Sequence, residues 1–95
     1  MKLLTPEEYP KHLKIKDTVY EVRFPKRMPK KDCSGFCDSG KRIIYIRQGL
    51  SLSETKAVFI HELLHALAYE YNIDISHAAV YGLETALSDL LLTNF

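Results

Sequence analysis

The segment AVFIHELLHALAYEY, residues 57–71, decides the fold prediction for this chain. It is almost wholly apolar, and such a segment is typical of a helix that is buried on most of its circumference. Three polar side chains interrupt it, His61, Glu62 and His65, and groups of this kind are costly to bury without partners. Because these polar groups do not contribute to apolar packing, the segment predicts a buried helix that carries a functional site.

The spacing of these three residues indicates a zinc site. On an α-helix, His61 and His65 are one turn apart and differ by about 40° around the axis, so both imidazoles point the same way. Glu62 lies about 100° from His61. That is the position from which the general base of a zinc peptidase removes a proton from a metal-bound water. The alternative is that the motif is accidental and that both histidines have partners in an ordinary core.

The third zinc ligand is expected on the following helix. A catalytic zinc usually takes three protein ligands and leaves its fourth position to water. His77 and Glu84 are seven residues apart and therefore share a helix face, with Tyr81 between them. The one that does not bind the metal is expected to orient a metal ligand through a hydrogen bond. The metzincin pattern is excluded, because Ala68 and Tyr71 stand where its glycine and third histidine would be.

Local signals place the other secondary structure around this helix. Ser51 and Glu54 form a capping box at its start, and Ser76 is expected to cap the final helix. Strands followed by helices on one core predict a single α+β domain over residues 1–95. The predicted elements are a short helix over residues 6–14, strands over 18–24 and 42–47, a turn over 34–41, and helices over 52–72 and from Ser76 to about Leu92.

Composition limits the class of protein. With 46% hydrophobic and 26% charged residues, the chain resembles an ordinary globular domain. No run approaches the roughly 20 apolar residues that span a bilayer, and the start MKLLTPEEYPKHLK lacks the apolar core of a signal peptide. We therefore expect a cytoplasmic protein with no membrane partner.

The two cysteines, Cys33 and Cys37, cannot form a zinc ribbon, because that site needs four ligands. Two reduced thiols are expected in a cytoplasmic protein. A redox pair and an accessory metal contact are the alternatives.

The net charge of +1 hides an asymmetry. Residues 1–47 carry 12 Lys and Arg against 6 Asp and Glu, whereas residues 48–95 carry 1 against 6. The excess peaks in PKRMPKKD, residues 25–32, which is interpreted either as a solvated loop or as a patch that attracts nucleic acid or an acidic substrate. The residues of this patch are Lys26, Arg27, Lys30 and Lys31.

Over residues 33–94, the chain resembles the zincin-like metallopeptidases, specifically the small SprT-like and ImmA/IrrE-like proteins of bacteria and their phages. SprT-like domains open the helix after the HExxH motif with a third histidine, and His77 stands at that place. ImmA/IrrE-like proteins have a glutamate there, followed by apolar residues that Val80 and Leu83 match. Gluzincin peptidases instead have a glutamate that 18 residues separate from the second histidine of the motif. Glu84 has this separation from His65. Ala78 departs from the SprT-like pattern, where glycine is usual, and the zinc ribbon that often follows those domains is missing, so their DNA-linked role does not transfer.

The resemblance implies a minimal zincin fold, in which a small β-sheet packs on the HExxH helix and a C-terminal helix closes the site. It implies a zinc-dependent peptidase of the bacterial or phage-infected cytoplasm, with zinc on His61, His65 and His77 and with Glu62 as base. Larger zincins pair an extended protein or peptide substrate with an edge strand. The residues expected to bind substrate here are Ile43, Ile44, Tyr45, Ile46, Arg47 and Tyr81. The alternative is a non-hydrolytic zinc module, regulatory or interacting, that keeps the fold.

Overall fold

The computed structural model describes residues 3–94, with only the helical backbone of residues 91–94. It has the predicted α+β class. In chain order the elements are a 3₁₀ turn Pro6–Glu8, β1 His12–Ile15, β2 Thr18–Arg23, β3 Gly35–Asp38, β4 Ile43–Ile46, α1 Leu52–Glu70 and α2 His77–Asn94. α1 packs on one face of the sheet, and α2 packs against α1. Neither helix of residues 3–94 combines the length and the apolar character that a membrane crossing requires.

The four strands form one mixed sheet in the order β1-β2-β4-β3. β1–β2 and β3–β4 are antiparallel pairs, and parallel pairing of β2 with β4 joins them. β4 is therefore an interior strand whose backbone is paired on both sides. The prediction that residues 43–47 form an edge strand open to substrate is wrong for this reason. The edge strand on that side of the sheet is β3.

The core lies between the sheet and α1. Side chains alternate between the faces of a strand, and this alternation directs Tyr20, Val22, Ile44 and Ile46 toward α1, where Ala66 is fully buried against them. Burying an aliphatic side chain of this size contributes roughly 1.5–3 kcal/mol. The packing fixes α1 on the sheet, so the polar residues of α1 are held on a rigid element.

Hydrogen-bonded motifs define both ends of α1. As predicted, Ser51 Oγ accepts from the Glu54 N–H at 3.1 Å, and Glu54 Oε1 accepts from the Ser51 N–H at 3.4 Å. At the other end, the Ile73 N–H donates to the Ala68 carbonyl at 2.8 Å, and Asn72 has a left-handed φ of 54°. These are the features of a Schellman motif. It ends the helix and turns the chain so that α2 packs back on α1.

Two predicted elements in the first half of the chain are wrong. The helix over residues 6–14 is a single 3₁₀ turn followed by β1. Pro10 explains this difference, because a proline pushes the preceding residue out of the helical region, and Tyr9 is indeed extended at φ −73° and ψ 147°. The turn over residues 34–41 instead contains β3, whose glycine-containing sequence is stabilised by pairing with β4.

Candidate metal centre

His61 and His65 bring two nitrogen donors together on α1. Their Nε2 atoms are 3.2 Å apart, and their ring centroids are 4.9 Å apart. Two ligands that each lie 2.0–2.1 Å from a tetrahedral zinc are about 3.3 Å from one another. The two imidazoles therefore already have the separation that a shared zinc ion requires.

His77 joins this pair from the first turn of α2. Ser76 caps the helix as predicted, since its Oγ accepts from the Ala79 N–H at 3.1 Å. The His77 ring centroid lies 5.2 Å from that of His65 and 6.3 Å from that of His61. One ligand nitrogen from each of the three residues lies within 4.8 Å of the other two. The structure thus brings together the three predicted ligands, which we name the histidine cluster.

Glu84 lies behind the histidine cluster. Its Oε1 is 2.9 Å from Nδ1 of His61. In the tautomer that carries its proton on Nδ1, His61 donates to this carboxylate and keeps the Nε2 lone pair on the side of His65. Carboxylates in this position fix the tautomer and the orientation of metal-binding histidines. The geometry of Glu84 is therefore that of an orienting partner of His61.

Burial favours the neutral form of His65, which is the form that binds metals. Burial lowers its pKa, and the charges of His61 and His77 lower it further. A pKa below the ordinary value keeps the imidazole neutral at pH 7, and only a neutral imidazole has a lone pair for a metal.

Glu62 occupies the face of α1 that meets β3. It is buried, with 8% of its surface exposed. A Cβ built on Gly35 would lie 3.0 Å from Glu62 Oε2 and 3.1 Å from its Cγ, and it would also meet Val58 Cγ1. Burial raises the pKa of Glu62; the charge of His61 lowers it and that of Glu84 raises it. The space that this carboxylate occupies exists because residue 35 is a glycine.

A cleft of about 360 Å³ opens beside His61, Glu62 and Glu84, whereas His65 and His77 are not part of its lining. Tyr81 stands at its mouth, 59% exposed, with its ring centroid 4.9 Å from that of His61. The residues that bear polar or functional groups in the lining are Cys33, Ser34, His61, Glu62, Tyr81 and Glu84.

No protein family, curated protein or solved structure matches this chain. The resemblance to zincin-like peptidases thus rests on the sequence motifs alone.

The structure separates the strand residues predicted to bind substrate from this cleft. Ile43, Ile44 and Ile46 are buried in the sheet. Alternation along β4 places Tyr45, and Arg47 after it, on the face of the sheet away from α1. Of the predicted substrate residues, only Tyr81 lines the cleft.

Sequence reasoning missed the contribution of residues 33–35, which lead into β3 and line the cleft. A signal for it was present, because an isolated glycine within a strand pattern often marks a close approach by another group. Cys33 lies in this stretch, half-buried and unpaired. Burial raises the pKa of Cys37, which faces the core, to about 11. Within residues 3–94, neither thiol belongs to the histidine cluster.

Proposed function

We propose that this chain is a minimal zinc-dependent peptidase of the zincin type. His61, His65 and His77 hold the zinc ion, Glu62 is the general base, and Glu84 orients His61. One observation carries the proposal: the two α1 imidazoles present Nε2 atoms 3.2 Å apart, next to a third histidine and a buried carboxylate.

The donor set suits zinc. Imidazole nitrogens are typical zinc ligands, and three of them leave one position of a tetrahedral ion open, as catalytic sites do. The hydrogen bond from His61 to Glu84 supplies the carboxylate partner that zinc-binding histidines commonly have. When bound, zinc supplies Lewis acidity, which polarises a substrate carbonyl and acidifies water.

Glu62 supplies the proton transfers. It accepts a proton from the attacking water and then delivers it to the nitrogen of the departing amine. A base works best when its pKa approaches the working pH, and burial moves the pKa of Glu62 in that direction. Gly35 leaves room for the carboxylate to lie between α1 and β3 without a competing side chain.

The substrate is expected to lie along β3 rather than β4. Within residues 3–94, β3 is paired on one side only, and the residues that enter it line the cleft. An extended peptide can add to such an edge through main-chain hydrogen bonds. A scissile carbonyl in the cleft would then lie next to Glu62 and His61, with Tyr81 beside it.

A non-hydrolytic zinc module is the second candidate. The cleft volume of about 360 Å³ favours it, because ligand pockets usually measure about 300–1,000 Å³ and this cleft is near the lower limit. Such a module would use the same three histidines, but Glu62 would have no proton to move.

The test combines metal analysis with hydrolysis of an unbiased peptide library. Protein that has never met a chelator is analysed for zinc, and the wild type is compared with Glu62→Gln at equal zinc content. One zinc per chain with cleavage by the wild type alone supports the peptidase. One zinc per chain without cleavage supports the non-hydrolytic module, and a zinc content near zero overturns both.

A further inference from the structure

The face of the sheet opposite α1 carries a stacked pair of aromatic rings. Phe36 of β3 and Tyr45 of β4 are direct cross-strand partners. Their ring centroids are 6.1 Å apart and their planes differ by 17°. Both side chains are half-buried, and neither belongs to the core between the sheet and α1. The pair is a partly accessible aromatic platform.

Cations surround this platform. Lys30 Nζ lies 5.3 Å from the centre of the Phe36 ring, and Arg23 is the cross-strand partner of Tyr45 on its other side. A cleft of about 500 Å³ adjoins it, and Arg47 lines this cleft together with the basic loop over residues 26–32. We name the whole set the aromatic–basic surface. Its members are Arg23, Lys26, Arg27, Lys30, Lys31, Phe36, Tyr45 and Arg47.

The charge of the aromatic–basic surface is positive. It has six cationic side chains, and the acidic residues nearby are Glu21, Asp32 and Asp38. The Glu21 carboxylate forms a bidentate salt bridge with the Arg23 guanidinium, with N···O distances of 2.6 and 3.0 Å. Asp38 Oδ1 accepts from the Lys41 N–H at 3.0 Å. Five cations line the cleft itself against one carboxylate, that of Asp32, so the cleft attracts an anionic partner.

We propose that the aromatic–basic surface binds single-stranded nucleic acid. Unpaired bases stack on the rings of Phe36 and Tyr45, and the phosphates follow the cationic cleft. Proteins that bind single strands without sequence preference combine these two features, a stacking platform and a positive groove. A duplex fits less well, because its bases are already stacked on one another. The carboxylates of an acidic peptide would pair with the cations but would not stack on the two parallel rings.

This inference is independent of the proposed peptidase activity. The histidine cluster lies on the helical side of the sheet, whereas the aromatic–basic surface lies on the opposite face. The amino-acid sequence alone did not indicate a platform, because residues 25–32 contain no aromatic side chain. Pairing of β3 with β4 brings the two rings together next to the loop.

Fluorescence anisotropy with the full chain tests the proposal. The probes are a labelled oligothymidylate, a labelled oligouridylate and a labelled DNA hairpin duplex, at about 50 mM salt and above. We expect both single-stranded probes to bind more tightly than the duplex. Comparison of oligothymidylate with oligouridylate shows whether DNA or RNA is preferred. The logarithm of the affinity should fall linearly with the logarithm of the salt concentration, by about 0.7 per phosphate contact.

Substitutions separate stacking from charge. Tyr45→Leu and Phe36→Leu keep apolar bulk and remove a ring, so each should weaken binding about 5- to 150-fold, the equivalent of one lost stacked base. Lys30→Gln should weaken binding of all strands and lower the salt slope by about 0.7. Lys11→Gln is the matched control, because it makes the same charge change at a different cleft, and it should leave affinity unchanged.

Circular dichroism and melting curves establish whether each variant is folded. If a ring variant does not fold, Lys30→Gln still tests the proposal, because Lys30 is exposed. No binding of single strands by the wild type overturns the proposal. Binding of single strands by folded ring variants as tightly as by the wild type also overturns it, since charge alone would then explain the affinity. Binding of an acidic peptide without binding of the oligonucleotides overturns it in favour of a protein partner.

Discussion

α1 and β3 face the same cleft and serve it in opposite ways. α1 presents side chains, since His61 and Glu62 line the cleft from consecutive positions of one buried helix. β3 leaves space at Gly35, which has no side chain. Within residues 3–94, one edge of the β3 backbone is also not paired with another strand. A site in so small a domain thus depends as much on space left beside a helix as on the groups that the helix carries. Substitutions on each side test this difference.

The largest effect is expected on the α1 side, from His65→Ala. The variant should lose its zinc and melt at a lower temperature, because metal-binding energy contributes to folding energy when a site forms only in the folded state. His12→Ala is the matched control, since His12 is exposed on β1 and outside the histidine cluster. Elemental analysis and melting curves of the three proteins measure both effects. A wild type that contains no zinc would contradict the prediction.

Glu62→Gln should separate catalysis from metal binding on the same helix. Gln has the same shape but accepts no proton, so turnover should fall about 10²–10⁴-fold while zinc content stays unchanged. Because the pKa of Glu62 is raised in the fold, ionisation of this carboxyl lowers stability as the pH rises above its unfolded pKa. The Gln variant lacks this loss and should melt at the same or a higher temperature at neutral pH. Equal turnover of the two proteins would show that Glu62 is not the base.

The two candidates for the third ligand differ in the size of their effect on zinc affinity. Glu84→Gln weakens the support of His61, and loss of such a partner typically costs 10–100-fold in metal affinity. His77→Ala removes a ligand and should cost more than Glu84→Gln. Competition against a chromophoric chelator measures both affinities. The reverse order would favour the gluzincin-type arrangement, with Glu84 on the metal.

The smallest effect is expected on the β3 side, from Gly35→Ala. The added methyl group would meet Val58 and the Glu62 carboxylate, and such overpacking typically costs about 1–3 kcal/mol. Gly82→Ala is the matched control: nothing lies within 4 Å of its Cβ position, and alanine stabilises a helix interior by roughly 0.5–1 kcal/mol relative to glycine. Urea unfolding should therefore show opposite signs for the two variants. If Gly35→Ala is as stable as the wild type, the space beside Glu62 is not limiting.

The features that follow a local period could be predicted from the sequence. Ser51 and Glu54 begin α1 as expected, Ser76 caps α2, and the i, i+4 spacing of His61 and His65 places both rings on one helix face. Each of these depends on residues within one helical turn of each other, so the printed sequence contains the necessary information. The coarse α+β class followed from the same local patterns.

The features that depend on distant pairing could not be predicted. Whether β4 lies inside the sheet is decided by its parallel pairing with β2 and its antiparallel pairing with β3, and no local signal states a strand order. The local sequence predicts a turn at Gly35, because glycine favours turns and the Glu62 that it contacts is 27 positions away in the sequence. The stacking of Phe36 on Tyr45 likewise exists only through the β3–β4 register.

The Schellman turn at Asn72 has a consequence for the order of folding. By reversing the chain directly after α1, it brings His77 back to His61 and His65, so that residues 61–77 contain the whole histidine cluster. The helical turns of α1 and α2 form through contacts about four residues apart, whereas the β2–β4 pairs join residues 22 positions apart, and contacts between residues near in the sequence form faster. The α1–α2 hairpin can therefore capture zinc before the sheet has formed. Pulsed hydrogen exchange during refolding with zinc should then show the amides of α1 and α2 protected first, whereas simultaneous protection of helices and strands would mean that the site forms only with the complete fold.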